Sequence, residues 1–369
     1  MRKIDLIEDF RSSSRIRALL RLIYKELDRE INIMEVCGGH THTIVKYGLN
    51  QVVPKGIRFI HGPGCPVCVM PKERIDQAIA LSEKEDVILV TLGDMIKVPG
   101  SNSSLAKKRA EGKDVRVVYS PIDSVRIARD NPGKKVVYFA IGFETTAPMT
   151  ASVIEIALKE GIRNLFFHIN HILILPAMNV IIDRKESNID AFIAPSHVSV
   201  ITGASMYNNI VEKYRTPLVV AGFEPVDVLE GVLMVIKQFK DKRREVEIQY
   251  RRAISWDGNR KAQYLIERFF KTRDSFRWRG LGNIPVSGLQ LRKEYEFMDV
   301  EVVFSEILPK GNVEDHQLCI CGDILRGVAK PTDCPVFGRG CSPINPLGAC
   351  MVSSEGACAV YYKYGAVDG

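Results

Sequence analysis

From residue 31 to residue 240 the chain repeats one pattern: a short apolar run, a polar or Gly/Pro turn, then a helical period. The runs are Ile31 to Val36, Ile57 to His61, Val87 to Thr91, Val115 to Ser120, Val136 to Ile141, Asn164 to Ile169, Ala191 to Ala194 and Leu218 to Ala221. They are rich in Val, Ile and Phe and barely alternate. A strand with one wet face alternates apolar and polar residues, whereas one covered on both faces does not. The pattern therefore predicts an α/β fold of doubly wound, mostly parallel sheets with helices on both sides. Helices are predicted at Lys72 to Lys84, Ser124 to Arg129, Ala147 to Lys159, Ser205 to Tyr214, Val226 to Phe239 and Arg260 to Phe270. Two strands are followed by the same turn, Gly142-Phe143-Glu144 and Gly222-Phe223-Glu224. This echo is either a three-residue coincidence or the trace of two similar α/β lobes. The expected division is one α/β domain over 30–135, a second over 136–240, and a helical, loop-rich third unit from 1–29 and 241–369.

Charge and hydropathy narrow the function classes. The 51 basic and 44 acidic residues give +7, mild for a chain of this size, with Asp241-Lys242-Arg243-Arg244 read as its dense basic block, so nucleic acid is not implied. The first ten residues, Met1 to Phe10, mix acids and bases and lack the apolar core of a signal peptide. The longest apolar stretch, Leu165 to Ile182, is broken by His168, Asn170, His171, Pro176 and Asn179, which a bilayer would penalise heavily. No phosphate loop or dinucleotide fingerprint is present. The expectation is a cytoplasmic chain with no membrane span. Thiols stay reduced there, so its nine cysteines point to metal or redox chemistry before structural disulfides.

The cysteines fall into three constellations. Glu35-Val36-Cys37-Gly38-Gly39-His40-Thr41-His42 follows a predicted strand, placing Cys37 where α/β proteins build ligand sites. Its glycines admit close backbone approach, exposed amides would lower the Cys37 pKa, and His40 and His42 offer imidazole. The alternative is a buried cysteine beside turn glycines. His61-Gly62-Pro63-Gly64-Cys65-Pro66-Val67-Cys68 puts a C-x-x-C pair at a helix start, where amides and the neighbouring sulfur favour one thiolate. Half of a zinc site, completed by Cys37 and His40, is the competing reading.

The third constellation is the tail: Cys319, Cys321, Cys334, Cys341, Cys350 and Cys358, separated by Gly and Pro turns. Four thiolates suit a [4Fe-4S] cluster or zinc, with two left over. The spacing matches neither the compact ferredoxin run nor C-x₃-C-x₂-C, which disfavours a radical S-adenosylmethionine enzyme. Gly142-Phe143-Glu144-Thr145-Thr146 and Ala194-Pro195-Ser196-His197-Val198-Ser199 also stand at predicted strand ends, with helix capping by Thr145 or Ser196 as the plain alternative. His168 and His171 are expected to be structural.

Taken together, Cys37 to His42, Gly62 to Cys68, Gly142 to Thr146, Pro195 to Ser199 and Met351-Val352-Ser353-Ser354-Glu355-Gly356-Ala357-Cys358 resemble the HypD family of [NiFe]-hydrogenase maturation proteins over nearly the whole chain. The resemblance implies two α/β domains around a cleft and a third domain holding a [4Fe-4S] cluster in an environment likened to ferredoxin-thioredoxin reductase. It implies a cytoplasmic redox-active scaffold, rather than a freely turning-over enzyme, on which iron gains two cyanides and one carbon monoxide before delivery to the hydrogenase large subunit. HypC would share the iron, and HypE, with HypF upstream, would supply cyanide. Carried over, Cys37 ligates the iron, His40 supports it, and Cys65 with Cys68 relays electrons. Cys319, Cys334, Cys341 and Cys358 hold the cluster, and Cys321 with Cys350 forms a second redox pair, the choice between Cys319 and Cys321 staying open. The competing classes are a cluster-dependent disulfide oxidoreductase acting on a protein and a zinc-stabilised interaction module.

Overall fold

The computed structural model describes residues 8–365; Met1 to Ile7, the start of the charged N-terminal run, and residues 366–369 lie outside it. All eight predicted runs are strands: β1 (Ile31–Glu35), β2 (Ile57–His61), β3 (Val87–Leu92), β4 (Val115–Val118), β5 (Lys135–Gly142), β6 (Leu165–His171), β7 (Ala191–Pro195) and β8 (Leu218–Ala221). A ninth, β9 (Val246–Ile248), closes one sheet edge with three residues, too few to stand out as a run. Every pairing in the two larger sheets is parallel. The α/β class with parallel sheets therefore holds.

The expected domain boundary at 135/136 does not. The first sheet runs β2-β1-β7-β8-β9 and the second β4-β3-β5-β6, so residues 87–171 form a sheet inserted between the two halves of the other. A boundary at 135/136 cuts between β3 and β5, which pair directly from Val87↔Lys135 to Val90↔Tyr138. The physical reason is that strands buried on both faces choose neighbours by shared apolar surface. A crossover from β2 can therefore pass through a whole second unit before β7 pairs with β1.

Most predicted helices form within two residues of their expected ends: Lys72–Ser82, Asp123–Asp130, Ala147–Lys159, Pro225–Lys240 and Arg260–Phe269. The Ser205–Tyr214 prediction splits into a 3₁₀ turn, Ser205–Tyr207, and a helix, Asn208–Tyr214. Within 1–29, expected to be helical, Ser13–Glu26 forms a helix that packs on Pro225–Lys240, and an unanticipated helix covers Ile174–Ile182. The long apolar stretch is thus a strand plus a short helix, and no helix among the described residues is long and apolar enough to cross a membrane. Beyond residue 269, β10 (Phe270–Thr272) pairs with β13 (Leu289–Leu291), and β11 (Ser275–Trp278) with β12 (Gly282–Pro285), both antiparallel. One apolar cluster runs through Met34 and Phe192 of the first sheet, Val137 and Phe139 of the second, Trp278, and Cys321 and Cys350 of the tail. At roughly 1.5–3 kcal/mol per large buried side chain, that continuity fixes the tail against both sheets.

Candidate functional site

In the first sheet β1 stands between β2 and β7, so the chain leaves it toward opposite edges, opening a crevice at the carboxyl ends of β1 and β7. Cys37 sits there, two residues beyond β1, in extended backbone that starts the helix Gly38–Lys46. The Gly38 amide donates to the Gly64 carbonyl at 3.2 Å, joining the two thiol loops. A Cβ on Gly64 would lie 2.4 Å from both Cα and N of Cys37, a contact no side chain survives, so only glycine permits this approach. Cys37 is buried, and burial, then the Glu355 carboxylate, pushes its thiol above the usual range against an opposing hydrogen bond from the Gly39 amide. The expected lowering by exposed amides is therefore overturned: desolvation of the thiolate outweighs the loop's dipoles.

Glu35 is completely buried. One carboxylate oxygen accepts the Cys37 amide at 3.1 Å, and the other accepts the Thr41 hydroxyl and faces His61 Nδ1 at 2.7 Å. His61 Nε2 then meets the Tyr361 hydroxyl at 3.0 Å. Buried polar groups need such partners, and here both carboxylate oxygens have them. His40 is also wholly buried; its Nε2 faces the Ala221 and Gly222 carbonyls at 3.0 and 3.1 Å, so Nε2 carries the hydrogen. That leaves Nδ1 a bare acceptor, and among the described residues it has no hydrogen-bond partner. His42 packs edge-on against Tyr364 at 5.1 Å.

Cys65 begins the short helix Pro66–Val69, and both Cys65 and Cys68 are buried. Burial raises the Cys65 pKa, but hydrogen bonds from the Cys68 thiol, the Ser353 hydroxyl and the Cys68 amide outweigh it, so Cys65 falls below the usual value. Cys68, the donor to that sulfur, is pushed up. Of the two, Cys65 is the sulfur whose thiolate the surroundings favour and Cys68 the one that keeps its proton longer.

In the tail, Cys321 and Cys350 are joined in a disulfide with Cα atoms 6.7 Å apart. Cys319, Cys334, Cys341 and Cys358 are free and line, with that pair, one cavity walled by Ile324, Val336, Phe337 and Met351. Burial raises the Cys358 pKa, and the charges of Cys319, Cys341 and Cys334 add to it, which marks the four as electrostatic neighbours. They could hold a multinuclear centre; no group of three or more donors among the described residues is gathered closely enough for a single ion. The tail also reaches the α/β thiols: a Cβ on Gly356 would lie 2.2 Å from the Cys350 carbonyl oxygen and 3.0 Å from the Cys68 sulfur.

A family model described as "HypD: Hydrogenase formation hypA family" matches residues 14–365. The hydrogenase maturation factor HypD2 of Bradyrhizobium diazoefficiens is 48% identical over 97% of this chain and 96% of its own length. HypD of Azotobacter vinelandii is 48% identical over the same shares, and HypD of Escherichia coli 45% over 91% and 90%. The chain belongs to the HypD family. It is a hydrogenase maturation factor of that family, with the glycine-tight thiol loops and the six-cysteine tail packed together.

Several residues of this HypD chain escaped sequence reasoning. Glu35 is a lone acid at the end of an apolar strand, and that misfit was its only signal. His61, Ser353, Glu355 and Tyr361 carried none, because their roles depend on which loops meet. The two Gly-Phe-Glu turns differ in their surroundings. Glu144 is buried; its Oε1 accepts the Ile174 amide at 3.1 Å, its Oε2 has no partner among the described residues, and burial pushes its pKa up to about 7. Glu224 instead ion-pairs with Arg11 at 2.5 Å near the surface. Neither Thr145 nor Ser196 caps a helix: the helices start after Thr146 and Pro195 without side-chain caps, and the Ser196 hydroxyl donates to the Ala221 carbonyl. His168 and His171 are buried, facing Gln77 Oε1 at 3.0 Å and Thr150 Oγ1 at 2.8 Å, in keeping with structural roles.

Proposed function

We propose that this protein is the scaffold on which, together with HypC, an iron carrying two cyanides and one carbon monoxide is assembled for the hydrogenase large subunit, with cyanide received from HypE and HypF acting upstream. The observation that carries this reading is the convergence of three sulfur-bearing segments: Cys37 held against Gly64, Cys65 and Cys68 in the same loop, and the tail closing on Cys68 through Gly356. In this reading Cys37 binds the incoming iron through its sulfur, giving up its proton as the cation arrives. The Gly-rich approach leaves coordination positions open for diatomic ligands, and a soft thiolate suits low-spin iron. The bare Nδ1 of His40 offers an acceptor in the same crevice.

The donor set of the tail fits a [4Fe-4S] cluster held by Cys319, Cys334, Cys341 and Cys358. Four free thiols surround one cavity whose other walls are apolar, and no carboxylate or imidazole competes for the metal. In such a cluster each thiolate binds a different iron, a role four free thiols around one cavity can fill. When bound, such a cluster supplies electrons one at a time. The chain's own dithiols, Cys321–Cys350 and Cys65 with Cys68, hold electrons in pairs, the number needed to release cyanide from a thiocyanate. Burial of Cys65 and Cys68 at 4% and 1% exposure argues against the competing oxidoreductase, whose dithiol must reach a disulfide on another protein.

Infrared spectroscopy of the protein co-purified with HypC tests the scaffold. Bands of iron-bound cyanide and carbon monoxide are expected in the wild-type complex and not in a Cys37→Ala complex. A wild-type complex without such bands contradicts the proposal.

A further inference from the structure

A groove beside the four-thiol cavity has no part in the chemistry above. It lies between the 97–107 segment and the loop Pro343 to Leu347. Lys72, Lys97, Lys107 and His316 line it, and no carboxylate does. Lys97 and Lys107 are exposed, and among the described residues neither ammonium has an ion-pair partner. Of the acids beside it, Glu314 pairs with Arg277 at 2.8 Å and Asp315 with Arg279 at 2.9 Å, and Asp76, behind the wall, accepts the Ser101 amide and hydroxyl at 2.7 and 2.6 Å, so the three lysines still outnumber the unpaired carboxylate. On its rim Ile344 is 97% exposed, an apolar side chain that water does not favour.

The groove is wired to the thiols by direct contacts. Leu347, on its wall, donates its amide to the Cys341 sulfur at 3.3 Å. His316, also on its wall, accepts the Cys319 amide at 2.8 Å. Electron transfer weakens steeply with distance, and a carrier seated here stands one residue's backbone away from Cys341, through Leu347. A cationic surface with an apolar contact point matches a partner with surface carboxylates around an exposed redox group.

We propose that this groove is the docking site of an acidic one-electron carrier protein, which delivers electrons at the four-thiol cavity. This rests on the reading that the cavity holds a [4Fe-4S] cluster. Each reduced carrier gives up one electron. Two carriers and two protons from water break the Cys321–Cys350 S–S bond and leave two thiols, the carriers departing oxidised.

The test uses the iron-replete protein and, as probe, a purified plant-type [2Fe-2S] ferredoxin, whose surface is acidic. The dissociation constant of oxidised ferredoxin should rise at least about 10-fold between about 20 and 300 mM NaCl. A Lys97→Glu, Lys107→Glu double variant should weaken binding by about 10-fold or more at low salt. Mixed with reduced ferredoxin, it should release alkylatable Cys321 and Cys350 thiols more slowly by a similar factor, while iron content and the dithionite-driven rate stay at wild-type values. An Ile344→Ser variant should weaken binding without changing its salt dependence. Wild-type binding and reduction by the double variant overturn the proposal. So does loss of a maturation partner with ferredoxin binding intact, which assigns the groove to that partner. A chain that takes up no cluster overturns this inference and the cluster reading together, whereas charge-independent reduction of an iron-replete chain overturns this inference alone.

Discussion

The two sulfur regions of this HypD chain are built on opposite principles. Around Cys37 the backbone does the work: two parallel strands end side by side, Glu35↔His61, and glycines let their loops touch. In the tail the side chains do it. Between Leu308 and Ala357 the ordered elements are one five-residue helix and two 3₁₀ turns, and the segment's shape follows from the cysteines that face one cavity and from the Cys321–Cys350 bond. The first region is therefore sensitive to an added methyl group and indifferent to metal. The second should depend on metal and tolerate a methyl group away from its seam with the first, where Gly356 is just as tight.

The largest expected contrast comes from glycine substitutions. Gly64→Ala drives a Cβ into the Cys37 backbone at 2.4 Å and should cost about 3 kcal/mol or more, with loss of iron binding at Cys37. Gly340→Ala in the tail places a Cβ 3.7 Å from Val336, an ordinary contact, and should change stability by less than about 0.5 kcal/mol. Denaturant unfolding of both variants measures the difference; equal effects would erase the distinction.

Metal removal should act the other way. Cys358→Ala, or extraction of iron by a chelator, takes one of four thiols from the cavity. The expected outcome is loss of about four irons per chain and protease cleavage confined to the segment from Cys319 to Cys358, the sheets melting as before. Cleavage within the sheets would show that the tail's order is not separable from theirs.

A more gradual effect, spread over pH, concerns the second sheet. The Glu144 carboxyl, raised by burial to about 7, binds its proton more tightly folded than unfolded. Between the unfolded value near 4.5 and about 7, the native state holds the extra proton, so stability falls as pH rises, by at most about 1.4 kcal/mol per pH unit. Glu144→Gln should flatten that decline. A slope unchanged in the variant would place the titration elsewhere.

Legibility in the sequence divides along the same line. The strands were readable because burial on both faces demands uninterrupted Val, Ile and Phe, as in Val136 to Ile141. The thiol loops were readable because Cys37, Cys65 and Cys68 stand at strand ends beside glycines. The interleaving of the sheets was not, since nothing local in β1 says that β7 rather than β3 lies beside it. Nor was the Cys37 pKa, because the loop's amides are visible in the sequence and the burial that overrides them is not. Glu35, His61 and Tyr361 form one hydrogen-bonded chain across 326 residues of sequence, joining a strand end to the last helix. Only the fold brings them together.

The central claim is that one chain carries two iron sites held by different sulfurs, cargo on Cys37 and a cluster in the tail. Mössbauer spectroscopy of the ⁵⁷Fe-enriched complex with HypC tests it most directly. The account predicts a low-spin iron signal and a cluster signal in a ratio of about one to four, Cys37→Ala removing only the first and Cys358→Ala the second. A single class of iron, or loss of both signals in Cys37→Ala, would contradict it.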